Sequence, residues 1–260
     1  MGYKGLRNVF LISALLYFGG CHQDKYCYKQ VGDTLPATHK EPAQVLPAAP
    51  VAIDPCCRGP YCWKFEPLFG YDINGVVFGV SHKFSSRLSD VMAADVGMVW
   101  GENSAKEHFR RVKFRTMLNY SEVYWRDGVS FNLTEFGNTH VVTCDKDAFR
   151  AVKAIKTGDQ ARLRGWLVNA EITAEPGEKD PAKILRLPSS VSRKDKGEGA
   201  CEVLYVRSAA DVEVLKAGPR LWLWLKWLGL AGMIASAALL FLAWKRKIRQ
   251  DMAEAEKSDF

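Results

Sequence analysis

Residues 221–244, LWLWLKWLGLAGMIASAALLFLAW, decide how this chain is organised. A helix of about 20 apolar residues crosses a hydrocarbon layer about 30 Å thick, so this run predicts a transmembrane helix. Tryptophans stand at both borders of the run, as they do in interfacial aromatic belts. The basic cluster 245–249 follows directly, and positive residues of this kind stay on the cytoplasmic side. Residues 245–260 are therefore predicted to form a short cytoplasmic tail.

The start of the chain carries a second membrane signal. Basic residues precede the short apolar stretch 9–18, and Gly19-Gly20-Cys21 follows it. This order is typical of a secretory signal peptide, here residues 1–20, and the apolar stretch is too short to span a membrane comfortably. The run before Cys21 resembles the lipobox of bacterial lipoproteins, although Phe18 stands where Leu is usual. The resemblance implies lipid attachment at Cys21; simple cleavage and an uncleaved anchor are the alternatives.

Both ends of the chain agree on its orientation. Basic flanks at each end place the termini in the cytoplasm and residues 22–220 outside, in the periplasm of a bacterium, with the protein held in the inner membrane. The net charge is +7, and the larger share of that excess lies at the membrane-flanking ends. The charge therefore indicates contact with anionic lipid rather than with nucleic acid. The predicted partners are membrane lipid and a protein of the cell envelope.

The chain has seven cysteines. If Cys21 carries lipid, an even number remains, which favours disulfides in an oxidising compartment. Cys144 and Cys201 are the two inside the folded domain, and we predict that they pair. Two more bridges are expected among the four cysteines that lie between Cys21 and the domain. A zinc site built from those four and reduced thiols are the alternatives. They are Cys27, Cys56, Cys57 and Cys62.

The middle of the chain divides into an arm and a domain. Residues 21–62 are rich in cysteine and proline, which favours an extended arm. Residues 63–217 contain several short β-branched stretches, which predict a β-rich periplasmic domain. Residues 145–156 have an amphipathic pattern, with Asp145 as a cap, and predict one helix. Strands, a helix and two further strands follow the order of an OB-type barrel. The predicted fold is therefore mainly β, an OB-like small barrel with one helix, plus the C-terminal transmembrane helix.

Four stretches of the domain are recognisable together. They are residues 99–101, 138–140, 157–168 and 193–203. On these stretches, residues 70–215 resemble a group of uncharacterised bacterial exported or membrane proteins. The resemblance implies a location outside the cytoplasm and a related fold, and it implies no activity.

The pair Asn138 and His140 is the best candidate for a polar site. Alternate residues of a strand lie on one face, so both side chains point the same way. An imidazole there can act as an acid or a base; a structural hydrogen-bonded pair at the start of a strand is the alternative. Cys144 is close to His140 in sequence, but a disulfide would make its sulfur inert. No catalytic residue is therefore assigned.

Arg164 and Trp166 form a second candidate binding surface on another strand. On an OB-like barrel, a cation beside an exposed aromatic side chain suits an oligosaccharide or a peptide; the alternative is that Trp166 belongs to the core. The five histidines show no spacing typical of metal ligands. No metal or other cofactor is predicted.

These features predict a membrane-anchored periplasmic binding or scaffold protein of the bacterial envelope, such as a subunit of an envelope or secretion complex. The alternative is a membrane-bound periplasmic enzyme, hydrolase-like, that uses His140. A deep pocket that converges on Asn138 and His140 with a second titratable group would favour the enzyme, whereas a flat or filled barrel would favour binding.

Overall fold

The chain forms two compact units: residues 27–219, and the terminal segments 1–26 and 220–260 together. The computed structural model describes residues 3–85, 88–116, 120–174, 180, 183–195, 197 and 200–258. The larger unit consists mainly of β-strands, and the smaller unit contains two helices. The prediction of a mainly β chain with one C-terminal apolar helix is confirmed.

The strands and helices are numbered in chain order. The strands are β1 (Ala43–Val45), β2 (Cys56–Arg58), β3 (Tyr61–Ser81), β4 (Met92–Val99), β5 (Lys113–Thr116), β6 (Ser121–Tyr124), β7 (Phe136–Val142), β8 (Gln160–Thr173), β9 (Leu185–Leu187), β10 (Glu202–Tyr205) and β11 (Val212–Lys216). The helices are α1 (Tyr3–Asp24), α2 (Gly101–Ala105), α3 (Lys146–Ala154) and α4 (Leu221–Ser258). Short 3₁₀ turns cover Cys27–Gln30, Pro36–His39, His108–Arg111 and Ala209–Asp211.

Within the described residues, nine strands form one sheet. Its order is β1-β3-β4-β7-β10-β8-β11, with β2 paired to β3 and β9 paired to β8. The long strand β3 pairs with β8 over residues 62–76 and with β4 over residues 76–81. The pairings β3-β4-β7-β10-β8 therefore return to β3. Strands β7 and β10 run parallel, whereas the pairs β3–β4, β4–β7 and β8–β10 are antiparallel. A small separate sheet consists of β5 and β6.

An apolar cluster joins these strands to α3. The Asp145 carboxylate accepts hydrogen bonds from the backbone N–H groups of Asp147 (3.0 Å) and Ala148 (2.7 Å), and so caps the helix. Val152 on α3 and Ile155, which directly follows the helix, have fully buried side chains that belong to this cluster. The predicted helix and its cap are confirmed. The strands contribute Val77, Val96, Met98, Val141, Leu163, Leu167 and Leu204 to the same cluster.

The segment before the domain packs against it. Tyr28 is fully buried, and its hydroxyl donates to the Val112 carbonyl oxygen at 3.2 Å. The hydroxyls of Thr38 and Ser104 are 2.7 Å apart, and both residues are buried. Strands β1 and β2 both pair with β3. We predicted an extended arm over residues 21–62; the structure instead includes residues 27–62 in the larger unit, because buried aromatic and hydroxyl groups attach them to it.

The smaller unit consists of α1 and α4. By length and composition, α4 is the one helix among the described residues that could cross a membrane. It continues past the predicted span to Ser258, through a basic and acidic sequence of good helix formers. Helix α1 runs without a break from Tyr3 to Asp24, so Cys21 lies within a helix.

Candidate active site

Three reactive side chains meet on the neighbouring strands β4, β7 and β10. Asp95 on β4 is the register partner of His140 on β7. Cys201 directly precedes β10, whose first residue, Glu202, lies opposite Thr139. His140 Nδ1 is hydrogen-bonded to Asp95 Oδ1, and the His140 side chain is also hydrogen-bonded to Cys201. Because Asp95 occupies Nδ1, the ring nitrogen left for the sulfur is Nε2.

Asp95 is a buried carboxylate in an otherwise apolar strand. Strand β4 reads MAADVGMV, and Asp95 has no exposed surface. Among the described residues, its Oδ2 atom has no hydrogen-bond partner, so His140 provides the main compensation for burying the charge. Removing a carboxylate from water costs several kcal/mol unless a cation is paired with it. The imidazole therefore stabilises the buried Asp95 carboxylate, and Asp95 in turn fixes the orientation of the imidazole.

Two opposed effects set the pKa of His140. Burial by itself lowers the pKa of His140. The hydrogen bonds and charges of Asp95 and Cys201 outweigh this effect and raise the pKa to about 10. The imidazole is therefore protonated at neutral pH and is paired with Asp95. Burial raises the pKa of the Asp95 carboxyl above its usual range, and the hydrogen bond and positive charge of His140 oppose that rise.

Asn138 lies in the same row of side chains as His140. Its Nδ2 atom points at Cys201 Sγ from 3.9 Å, and its Oδ1 atom accepts a hydrogen bond from the Ser121 hydroxyl at 3.3 Å. Ser121 begins β6, so the small sheet holds the amide with its N–H groups towards the sulfur. A fixed N–H donor beside a nucleophile suits the oxyanion formed when a carbonyl group is attacked.

The side chains of the site are mostly buried, but part of their surface remains exposed to solvent. The His140 side chain is 14% exposed, and Cys201 is half-buried. Asn138 is buried. A small reagent therefore has access to the sulfur, while the groups that orient the imidazole are shielded from water.

The structure brings together two of the four predicted binding residues. Asn138 and His140 share a face of β7, as predicted, and both contact Cys201. Arg164 and Trp166 lie on β8 and line a separate groove. The Arg164 guanidinium donates to the Ala210 carbonyl oxygen at 2.7 Å, and Trp166 is half-buried against an apolar cluster. The groove is also lined by Val45, Gly70, Tyr71 and Arg207.

The predicted disulfide between Cys144 and Cys201 is wrong. Cys144 is bonded to Cys56, with 6.2 Å between their Cα atoms, and Cys201 lies outside both disulfides. The physical reason is the parallel pairing of β7 and β10. Cys144 follows the end of β7, whereas Cys201 precedes the start of β10 and is level with Asn138. Six residues of strand separate the two levels, or about 20 Å.

The second disulfide joins Cys57 to Cys62 across β2 and β3. We predicted two bridges within the four cysteines that precede the domain; one forms there, and Cys56 reaches the domain instead. Cys27 keeps its thiol, which is buried and donates to the Thr157 carbonyl oxygen at 3.0 Å.

Sequence analysis alone does not find Asp95 or the role of Cys201. One signal for Asp95 is available, since a carboxylate inside the apolar run 91–100 is rarely buried without a partner. Cys201 has no comparable signal, because its contact with His140 depends on the pairing of β7 with β10.

Comparisons of the chain with protein-family models, with curated proteins and with solved structures found no match. Within the described part of the chain, no group of three or more His, Cys, Asp or Glu side chains is arranged to hold a metal ion. Function is therefore proposed from the contacts around Cys201.

The ion pair of His140 and Asp95 predicts how stability depends on pH. The pKa of His140 is raised from about 6.5 in the unfolded chain to about 10 in the folded protein. Its contribution to the free energy of unfolding is therefore fully present below about pH 6.5 and is lost as pH rises through about 10. Asp95→Asn removes the anion and should flatten this loss. The other titratable groups near the pair are Cys201, Glu202 and His82.

Thermal denaturation of the full-length protein in detergent at about pH 6 and about pH 9 checks this prediction. A suitable control is Asp147→Asn, which removes an exposed carboxylate paired with Arg150 and should leave the wild-type pH dependence intact. An Asp95→Asn protein that loses as much stability as the wild type over this range would contradict the assignment.

Proposed function

We propose that this chain is a membrane-anchored thiol enzyme that transfers acyl groups. Cys201 is the nucleophile, His140 is the general acid and base, and Asp95 is the positioning residue for His140. The observation that carries the proposal is the hydrogen-bonded path from Cys201 through His140 to Asp95. A nucleophile, a base and a group that orients the base are the components of nucleophilic catalysis on unrelated folds.

The proposed reaction begins with attack by the Cys201 sulfur on the carbonyl carbon of an ester or thioester. A C–S bond forms, and the carbonyl oxygen becomes an oxyanion to which Asn138 Nδ2 donates. The bond to the leaving group then breaks, and protonated His140 gives its Nε2 proton to that group. Water next attacks the acyl-enzyme while neutral His140 takes a proton from it. The carboxylic acid leaves, and Cys201 is restored as the thiolate beside protonated His140.

An OB-like assignment for the larger unit supports this placement of the site. The ring of five paired strands, β3, β4, β7, β8 and β10, has α3 between its third and fourth members. OB-folds bind ligands on the face of their second and third strands. In this ring those strands are β4 and β7, which carry Asp95, Asn138 and His140.

The proposed location is the bacterial inner membrane, with the larger unit in the periplasm and the basic tail in the cytoplasm. The apolar length of α4 and the cluster 245–249 support this orientation. The disulfides Cys56–Cys144 and Cys57–Cys62 support it too, because disulfides persist in oxidising compartments.

Binding of an envelope protein is the second candidate function, and the groove on β8 favours it. Arg164 and Trp166 offer a cation and an aromatic surface there, and Cys201 is not among the residues that line this groove. The two functions are compatible, since the groove and the thiol use different strands.

The test is acylation of the solubilised full-length protein by p-nitrophenyl acetate. We expect release of p-nitrophenol together with an acetyl group on Cys201 that peptide mapping locates. Cys201→Ala should abolish this label, whereas Arg164→Ala with Trp166→Ala should retain it. Absence of acetyl on wild-type Cys201 would overturn the proposed enzyme. In that case, loss of a crosslinked envelope protein from the Arg164 and Trp166 variant would favour the binding function.

A further inference from the structure

Helices α1 and α4 pack against each other along one line of buried residues, which we call the seam. On α1 the buried residues are Leu6, Ser13 and Gly20, which are spaced by seven. On α4 Gly229 and Ser236 are buried and have the same spacing. A seven-residue repeat keeps one stripe of each helix facing its neighbour over several turns. The contact is therefore a continuous helix pair.

The two backbones approach closely at glycines. A Cβ atom added to Gly20 would lie 2.9 Å from the Cα atom of Lys226. One added to Gly229 would lie 2.5 Å from the backbone nitrogen of Tyr17. Later residues of α1 thus meet earlier residues of α4, so the helices are antiparallel. Such close contact between small residues is how helices associate within lipid, where apolar side chains give no preference for one another.

An ion pair closes one end of the seam. Lys226 Nζ donates to Asp24 Oδ2 at 2.6 Å, and the two side chains are only 20% and 29% exposed. Lys226 is the one charged residue in the apolar run 221–244. A lysine at the edge of a hydrocarbon layer is stabilised by a nearby anion, and α1 supplies that anion.

The large apolar side chains of both helices face away from the seam. Leu15 and Phe18 on α1 are 75% and 64% exposed, and Trp224 and Leu228 on α4 are 66% and 64% exposed. An apolar exterior around a contact made by small residues is typical of helices that pack within lipid. Residues 8–23 carry no Lys, Arg, Asp or Glu, and as a helix they extend about 24 Å. This length is marginal for a lone span, and contact with α4 compensates for it.

We propose that α1 is retained in the mature protein as a second membrane helix, with α4 of the same chain as its partner. Cleavage before Cys21 would remove Ser13 and Gly20 and leave the seam of α4 open. The hairpin puts both termini on one side of the membrane, and the basic residues near each terminus assign that side to the cytoplasm. Cys21 is then an internal helical residue rather than a lipid-bearing N-terminus. None of these contacts involves the thiol site.

The first test is the intact mass of the wild-type protein purified from membranes. We expect a mass that includes residues 3–20. A mature chain that begins at Cys21, with or without lipid, would overturn the proposal. This measurement needs no substitution, so it does not depend on the folding of a variant.

The second test is a crosslink between the helices in isolated membranes. A Cβ on Gly232 would lie 3.1 Å from Ser13 Cβ, close enough for a disulfide. In a Cys21→Ala background, Ser13→Cys with Gly232→Cys should form a disulfide on mild oxidation. The matched control is Leu15→Cys with Gly232→Cys, which should not crosslink because Leu15 faces outward. Equal crosslinking of both pairs, or of neither, would overturn the helix pairing.

Discussion

Replacing His140 by Gln is expected to slow acylation of Cys201 by about 10²- to 10⁴-fold, the usual contribution of a positioned acid–base group. Gln has similar length but carries no ionisable proton. The attacking sulfur therefore loses the imidazole that is hydrogen-bonded to it, and the leaving group loses its proton donor. The measurement is the initial rate of p-nitrophenol release by the solubilised full-length protein.

Two observations separate a chemical role of His140 from a structural one. The wild-type rate should change little between about pH 6 and about pH 9, because the imidazole stays protonated below about pH 10. The His140→Gln rate should stay below the wild-type rate over the same range, because Gln has no proton to give to the leaving group. The control His108→Gln changes a histidine on the short turn His108–Arg111 and should keep the wild-type rate. Equal rates for wild type and His140→Gln would remove His140 from the mechanism.

Replacing Cys56 and Cys144 together by Ala is expected to lower the free energy of unfolding by about 4 to 5 kcal/mol. The bond joins residues that are 88 apart in sequence. Breaking it therefore restores much conformational freedom to the unfolded chain. Urea unfolding of the solubilised full-length protein, followed by tryptophan fluorescence, measures the difference.

The other disulfide provides a matched control. Cys57 and Cys62 are 5 apart in sequence, and the same relation gives about 2 kcal/mol for their loss. The Cys57→Ala, Cys62→Ala protein should thus be clearly more stable than the Cys56→Ala, Cys144→Ala protein. Equal stabilities for the two variants would show that Cys56–Cys144 does not constrain the unfolded chain. Both variants keep Cys201, so both should retain the acylation reaction after refolding.

Features that depend on neighbouring residues are the ones that the sequence predicts well. The helix α3 and its Asp145 cap follow from a hydrogen-bonding side chain at the first turn and from an apolar face. The membrane-compatible length of α4 follows from an unbroken apolar run. Side chains alternate between the two faces of a strand, so the spacing of Asn138 and His140 is enough to predict that both lie on one face of β7.

The partners of those residues are not local. Asp95 is 45 residues from its hydrogen-bond partner His140 in sequence, and Cys201 reaches the same site through a parallel strand pair. Counting cysteines cannot reveal that pairing, since an even count is satisfied equally by Cys144–Cys201 and by Cys56–Cys144. The strand order excludes the first bond and leaves Cys201 beside the imidazole.

The sequence by itself thus determined the apolar C-terminal helix, the β-rich class and one face of β7. These features follow from the spacing of apolar residues within a single segment, which indicates its secondary structure and its buried face. Only the tertiary structure decided which disulfides form, that residues 27–62 pack on the domain, and that α1 meets α4. It also decided that Asp95, His140 and Cys201 converge. These contacts join distant segments, and their energies depend on which strands are neighbours and in which direction they run.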